Sequence, residues 1–146
     1  MNNQLTPESL SKVMQILQDH FGEVAKTPEE VQRMIAGVAE MVKNPGFKLV
    51  HFGNVLFTVS VFKKYMVEIH AMIGGKLDME GKIKELKKEL PKLLELLPKM
   101  EVKVVYTYME KKMAPKFDDL LKKYNFSQKE IKGPKGEDLV AFYVEL

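Results

Sequence analysis

Cysteine is absent from this 146-residue chain, which removes disulfide frameworks, thiolate zinc sites and cysteine nucleophiles together. A cytoplasmic location is the expectation. Long apolar runs are missing too: every apolar stretch is broken by Lys, Glu or Thr well before the ~18 residues that a membrane helix requires. The opening Met1-Asn2-Asn3-Gln4-Leu5 has no basic start followed by an apolar core, so neither a signal peptide nor a membrane span is expected. His20, His51 and His70 stand alone with no paired helical spacing, and no metal site is expected. There is no Gly-x-Ser-x-Gly and no phosphate loop ending in Gly-Lys-Ser/Thr, which sets aside the hydrolase and nucleotide-triphosphate chemistries that those motifs carry.

What is present begins with charge. The formal net charge is +3, but residues 1–46 hold four basic and six acidic side chains, and residues 47–146 hold nineteen basic and fourteen acidic. The C-terminal part could attract a phosphate-bearing ligand. Its lysines alternate with glutamates as on an ordinary solvated helix face, so nucleic-acid binding is not expected. The length suits a single domain over 1–146, able to bury a core without metal or disulfide support.

Thr6-Pro7-Glu8 reads as a helix start, with Thr as N-cap and Pro at the first helical position. Leu10, Val13, Met14, Leu17 and Phe21 supply its apolar face. Thr27-Pro28-Glu29-Glu30 repeats the signal as a capping box, and Asn44-Pro45-Gly46 ends the second helix. From Phe47 the period becomes alternating. Phe47 to Phe52, Val55 to Phe62 and Tyr65 to Ile73 read as three strands, joined so tightly at Gly53-Asn54 and Lys63-Lys64 that they must form an antiparallel meander.

Gly74-Gly75-Lys76-Leu77-Asp78 breaks that pattern before a long helix with Ile83, Leu86, Leu90, Leu93, Leu94 and Leu97 on one face. Pro91 is expected to kink it and Pro98 to end it. A strand over Val102 to Met109, a helix from Ala114-Pro115 and a hairpin of Ser127 to Ile131 with Asp138 to Leu146 complete the chain. The order α-α-β-β-β-α-β-α-β-β implies an α+β fold, with a mixed, mostly antiparallel sheet flanked by helices on both faces.

This order, and above all the strand, helix and hairpin of the last third, resembles the GNAT family of N-acyltransferases over nearly the whole chain. The family has a further strand before its first helix, and only Met1 to Leu5 could supply it. The resemblance implies an acetyl-CoA cleft where the strand ending at Ile73 and the strand beginning at Val102 separate. The pantetheine arm would pair with Ala71, Met72 and Ile73 as an added strand, and the pyrophosphate would sit on the loop into the long helix.

The family loop reads Gln or Arg, two residues, Gly, one residue, then Gly or Ala. Gly81 matches its first glycine, which puts Asp78 at the Gln/Arg position and Ile83 at the second small position. Gly74, Gly75, Lys76 and Lys82 are an alternative anion site, or an ordinary turn. The resemblance makes Glu68 the general-base candidate, and His70, two residues on, shares its strand face and could act with it. The family's tyrosine acid falls on Leu121, leaving Tyr124, Tyr106 or Tyr108 as substitutes, each equally readable as an amphipathic core residue.

Two functions remain open. One is an acyl-CoA-dependent transferase acting on an amine acceptor. The other is a non-catalytic GNAT-fold module that binds other protein subunits, as in the small internal virion proteins of short-tailed bacteriophages that the strand, helix and hairpin are similar to, which would place it in a virion.

Overall fold

The computed structural model describes residues 7–146. The Thr6 cap and the candidate first strand at Met1 to Leu5 lie outside them. Helices α1 (Pro7–Gly22) and α2 (Pro28–Val42) precede the meander β1 (Phe47–Phe52), β2 (Val55–Lys63) and β3 (Met66–Ile73). Next come α3 (Met79–Leu96), a 3-10 turn (Leu97–Met100), β4 (Val104–Glu110), α4 (Ala114–Lys123), β5 (Ser127–Lys132) and β6 (Asp138–Glu145). The strands form one sheet in the order β1-β2-β3-β4-β6-β5, antiparallel at every junction except β3–β4. This is the α+β arrangement expected from the element order.

Strand alternation divides the core in two. Val67, Ile69 and Ile73 of β3 point into a large cluster with Leu90, Leu93 and Leu97 beneath α3 and α4. Met72 points to the other face, where Leu56 meets Val13, Ile16, Leu17 and Ile35 of α1 and α2. Glu68 and His70 share the α1/α2 face with Met72 by the two-residue period. Contacts from α1 and α2 reach β1, β2 and β3; on this face Met72 is buried, whereas Glu68 and His70 stay partly exposed.

Local chemistry explains the joints. Thr27 Oγ1 accepts from the Glu30 amide at 3.2 Å, and Glu30 Oε2 accepts from the Lys26 amide at 3.0 Å, one residue earlier than a standard capping box. Tyr65 is not a strand residue as its side chain suggested. It adopts φ +67°, so the β2–β3 turn is Lys64-Tyr65, with Lys63 opposite Met66 and a bulge between Val61 and Lys63. The turn exposes the Tyr65 carbonyl, which accepts from the Lys103 and Val104 amides at 2.8 and 3.0 Å. That anchor starts β4 at Val104 and not at Val102.

Helix α3 continues through Pro91 as far as Leu96, and it leaves the α-helical path at Leu97 for a 3-10 turn that contains Pro98. The left-handed Glu101 stops the turn, at φ +65°. Asn125 ends α4 the same way at φ +67°, as its side chain permits.

Candidate active site

The parallel β3–β4 ladder is short. It pairs Met66 with Val104, Val67 with Val105 and Glu68 with Tyr106, and then stops. Beyond that point β3 stays with β2 and β4 stays with β6, so the two central strands diverge into a wedge. A cavity of about 210 Å³ lies in it, lined by Ile69, His70 and Ala71 from one strand and Thr107, Tyr108 and Met109 from the other. Phe117 and Leu121 of α4 close its far wall. Ala71 is therefore at the cleft, whereas the Met72 and Ile73 side chains are buried in the two core clusters. Only the backbone of those two residues is available to an added strand.

At the vertex of the wedge the polar side chains meet. Glu68 Oε1 accepts from the Tyr106 hydroxyl at 2.5 Å, and Glu68 Oε2 lies 2.8 Å from His70 Nε2. The His70 and Glu68 side chains are 36 % and 24 % exposed, so the pair is shielded yet reachable. Burial, followed by the Glu68 hydrogen bond and charge, pushes the Tyr106 hydroxyl well above the usual tyrosine range. The Tyr108 hydroxyl rises too, by burial and then by the Glu68 charge. Its ring meets His70 edge-on at 5.0 Å.

Register places Ser60, Glu68, Tyr106 and Tyr143 side by side across four strands, and Phe62 packs edge-on against Tyr106 at 5.1 Å. The result is an aromatic floor around one hydrogen-bonded carboxylate. Such a group can accept a proton from a bound nucleophile, with the imidazole beside it to share the charge.

The loop at the mouth of the wedge is arranged differently. The Gly74 amide donates to the Asn54 carbonyl at 3.1 Å, and the Gly75 amide to Asp19 Oδ2 at 2.7 Å. Asp78 caps α3 by accepting from the Gly81 amide at 2.8 Å. Lys82 Nζ is held by Glu23 Oε2 at 2.5 Å. Gly74, Gly75, Gly81 and Lys82 of the expected phosphate site thus have partners within the chain, three of them carboxylates, whereas Lys76 is exposed at φ +52°. Nothing in the sequence pointed to Asp19 and Glu23, because they reach the loop from 56 and 59 residues away.

Tyr124 occupies the C-cap of α4, packed against the large cluster with Lys123 Nζ 5.9 Å from its ring centre. It is not among the residues that line the cavity, whereas Tyr108 is. Among the described residues no cluster of His, Asp and Glu could hold a metal ion, and no helix is long and apolar enough to cross a membrane.

No family model and no curated protein matches the sequence. Solved structures do match in shape. A GNAT-family chain from Desulfovibrio desulfuricans is 14 % identical with a TM-score of 0.63, covering 97 % of this chain and 95 % of that one. A chimera of Vibrio cholerae spermidine N-acetyltransferase SpeG and hSSAT is 9 % identical with a TM-score of 0.67, over 99 % and 96 %. The yncA protein of Salmonella typhimurium, solved with its cofactor acetyl-CoA, is 14 % identical with a TM-score of 0.60, over 98 % and 92 %. The chain therefore has the GNAT fold. At these identities the likeness is one of fold.

Proposed function

We propose that this is a single-domain N-acyltransferase that moves an acyl group from a thioester of the coenzyme A type to an amine. The observation that carries the reading is the wedge: two central strands part immediately after the Glu68–Tyr106 pair, leaving an apolar cavity that His70 lines, with Glu68 hydrogen-bonded to His70 where the strands part. The thioester, when bound, supplies an electrophilic carbonyl carbon. The free edge of β3 at Ala71, Met72 and Ile73 holds the amide-bearing arm by strand addition.

Glu68 takes the proton that the acceptor nitrogen loses as the new C–N bond forms, and His70 shares the charge. Tyr108, kept protonated by its raised pKa and lining the cavity, returns a proton to the sulfur when the C–S bond breaks. Tyr124, a substitute for the acid that the α4 pattern puts at Leu121, is the alternative donor. The aromatic floor of Phe62, Tyr106 and Tyr143 receives the amine's body, where ring faces favour an ammonium group.

The reading is tested by thiol release from acetyl-CoA and from S-acetyl-pantetheine in the presence of a panel of primary amines. Amine-dependent release that disappears in Glu68→Gln supports it. No release and no thermal shift with either thioester at millimolar concentration sinks it, since a ligand bound only by the folded state must raise the melting temperature.

One arrangement favours a second reading, a non-catalytic module that binds other protein subunits. Gly75, Gly81 and Lys82 are already engaged, and apolar Leu121 stands where the family's acid is expected. That reading, with its bacteriophage virion setting, predicts the negative result in both assays. The solved structures reported above give the virion setting no support.

A further inference from the structure

We propose that the acyl donor of this site is a thioester on a pantetheine arm that lacks a nucleotide diphosphate. The proposal rests on the N-acyltransferase reading and concerns which donor the site takes. Two parts of the wedge lead to it. The inner part is ready for an arm: β3 has no β4 partner beyond Glu68, and the cavity beside Ala71 is apolar. The outer part has most of its donors engaged by carboxylates of the chain.

A diphosphate is held at a helix start by free backbone amides and a cation. Here the Gly75 amide is bonded to Asp19, the Gly81 amide to Asp78 and the Lys82 ammonium to Glu23. The Gly74 amide is bonded to the Asn54 carbonyl. The first-turn amides of Met79 and Glu80 and the exposed Lys76 remain, in a segment that also carries the Asp78 cap and the acidic Glu80. An incoming diphosphate would have to displace three carboxylates and then sit among them. Like charges at such separations repel, and losing Asp78 as a cap would loosen α3.

A pantetheine thioester meets none of this opposition. The same chemistry is offered by a free pantetheine thioester and by the phosphopantetheine arm of an acyl carrier protein, whose single phosphodiester is attached at a serine outside the wedge.

Calorimetric titration of the whole chain with S-acetyl-pantetheine and with acetyl-CoA tests the proposal. The expected affinities agree to within about threefold, whereas a working diphosphate seat would favour acetyl-CoA by about tenfold or more. In the double variant Asp19→Asn/Glu23→Gln, acetyl-CoA should gain about tenfold while S-acetyl-pantetheine stays unchanged.

Tighter binding of acetyl-CoA by the unaltered chain overturns the proposal and leaves the transferase reading standing. No gain in the double variant also overturns it, because the carboxylates would then not be what excludes the diphosphate. Binding of neither thioester overturns proposal and reading together. A third titration, with an acyl carrier protein bearing acetyl-phosphopantetheine, separates the sources: tighter binding than the free thioester identifies the carrier, and equal binding the free form.

Discussion

The vertex and the mouth of the wedge share strand β3, the mouth being the loop that follows it, yet they treat polar groups in opposite ways. At the vertex, Glu68 gathers donors from His70 and Tyr106 on a partly open face. At the mouth, Gly75, Gly81 and Lys82 spend their donors on carboxylates of the same chain. The first arrangement keeps a charged group reachable by a substrate. The second ties up Gly75, Gly81 and Lys82, three of the donors that a phosphate would have used. The difference shows that a fold can keep the place where bonds change while giving up the place where a cofactor's charge is held.

The largest expected effect tests the vertex. Glu68→Gln keeps the size of the side chain but removes the base, and should lower amine-dependent thiol release by about 10²–10⁴-fold without changing the melting temperature by more than a few degrees. An unchanged rate would show that the vertex only holds β3 to β4.

Tyr106→Phe removes a hydrogen bond to a charged group, worth about 1.5–3 kcal/mol, at the lower end because the site is partly exposed. Its pH dependence has a definite sign. The folded pKa of Tyr106 is raised, so the protonated hydroxyl is favoured by folding. That contribution is complete below the usual tyrosine pKa and is lost as pH rises through the folded value. Denaturant titrations should show the wild type losing stability relative to Tyr106→Phe above about pH 10.

The mouth should respond in the opposite sense. Asp78→Ala is expected to cost about 1 kcal/mol of stability through loss of the α3 cap and to strengthen acetyl-CoA binding by freeing the Gly81 amide. Chemical denaturation and calorimetry on one preparation measure both. If stability and affinity fall together, the cap is a binding group and the contrast between the two regions breaks. The smallest effect belongs to Glu23→Gln alone. Its partner Lys82 is 22 % exposed and Glu23 34 %, so the ion pair contributes at most about 1 kcal/mol, and a thermal melt should hardly move.

Much of the scaffold could be read from single residues. Thr27 followed by Pro28 specified the start of α2, because a cap is a local hydrogen bond, although Glu30 reaches back to Lys26 and not to Thr27. The alternation from Val67 to Ile73 placed Glu68 and His70 on one face, because strand geometry has a fixed period. Asn125 tolerates the left-handed backbone after α4 because its side chain is short and polar. Tyr65 misled: a β-favouring side chain sits at positive φ because the two-residue turn and the amides of Lys103 and Val104 outweigh its propensity. Tyr106 could be named as able to reach a cleft, but its bond to Glu68 could not. That bond spans 38 residues and depends on β4 entering beside β3 in one register.

The sequence by itself determined the element order, the faces of the strands and the small set of polar residues from which a base could come, since these follow from spacing along one segment. Only the tertiary structure decided that β3 and β4 part after Glu68, that Tyr106 meets it, and that α1 and the turn after it deliver Asp19 to Gly75 and Glu23 to Lys82 of α3. Each of these joins segments far apart in the chain. Their relative position is set by packing in two separate cores, and no local period records it.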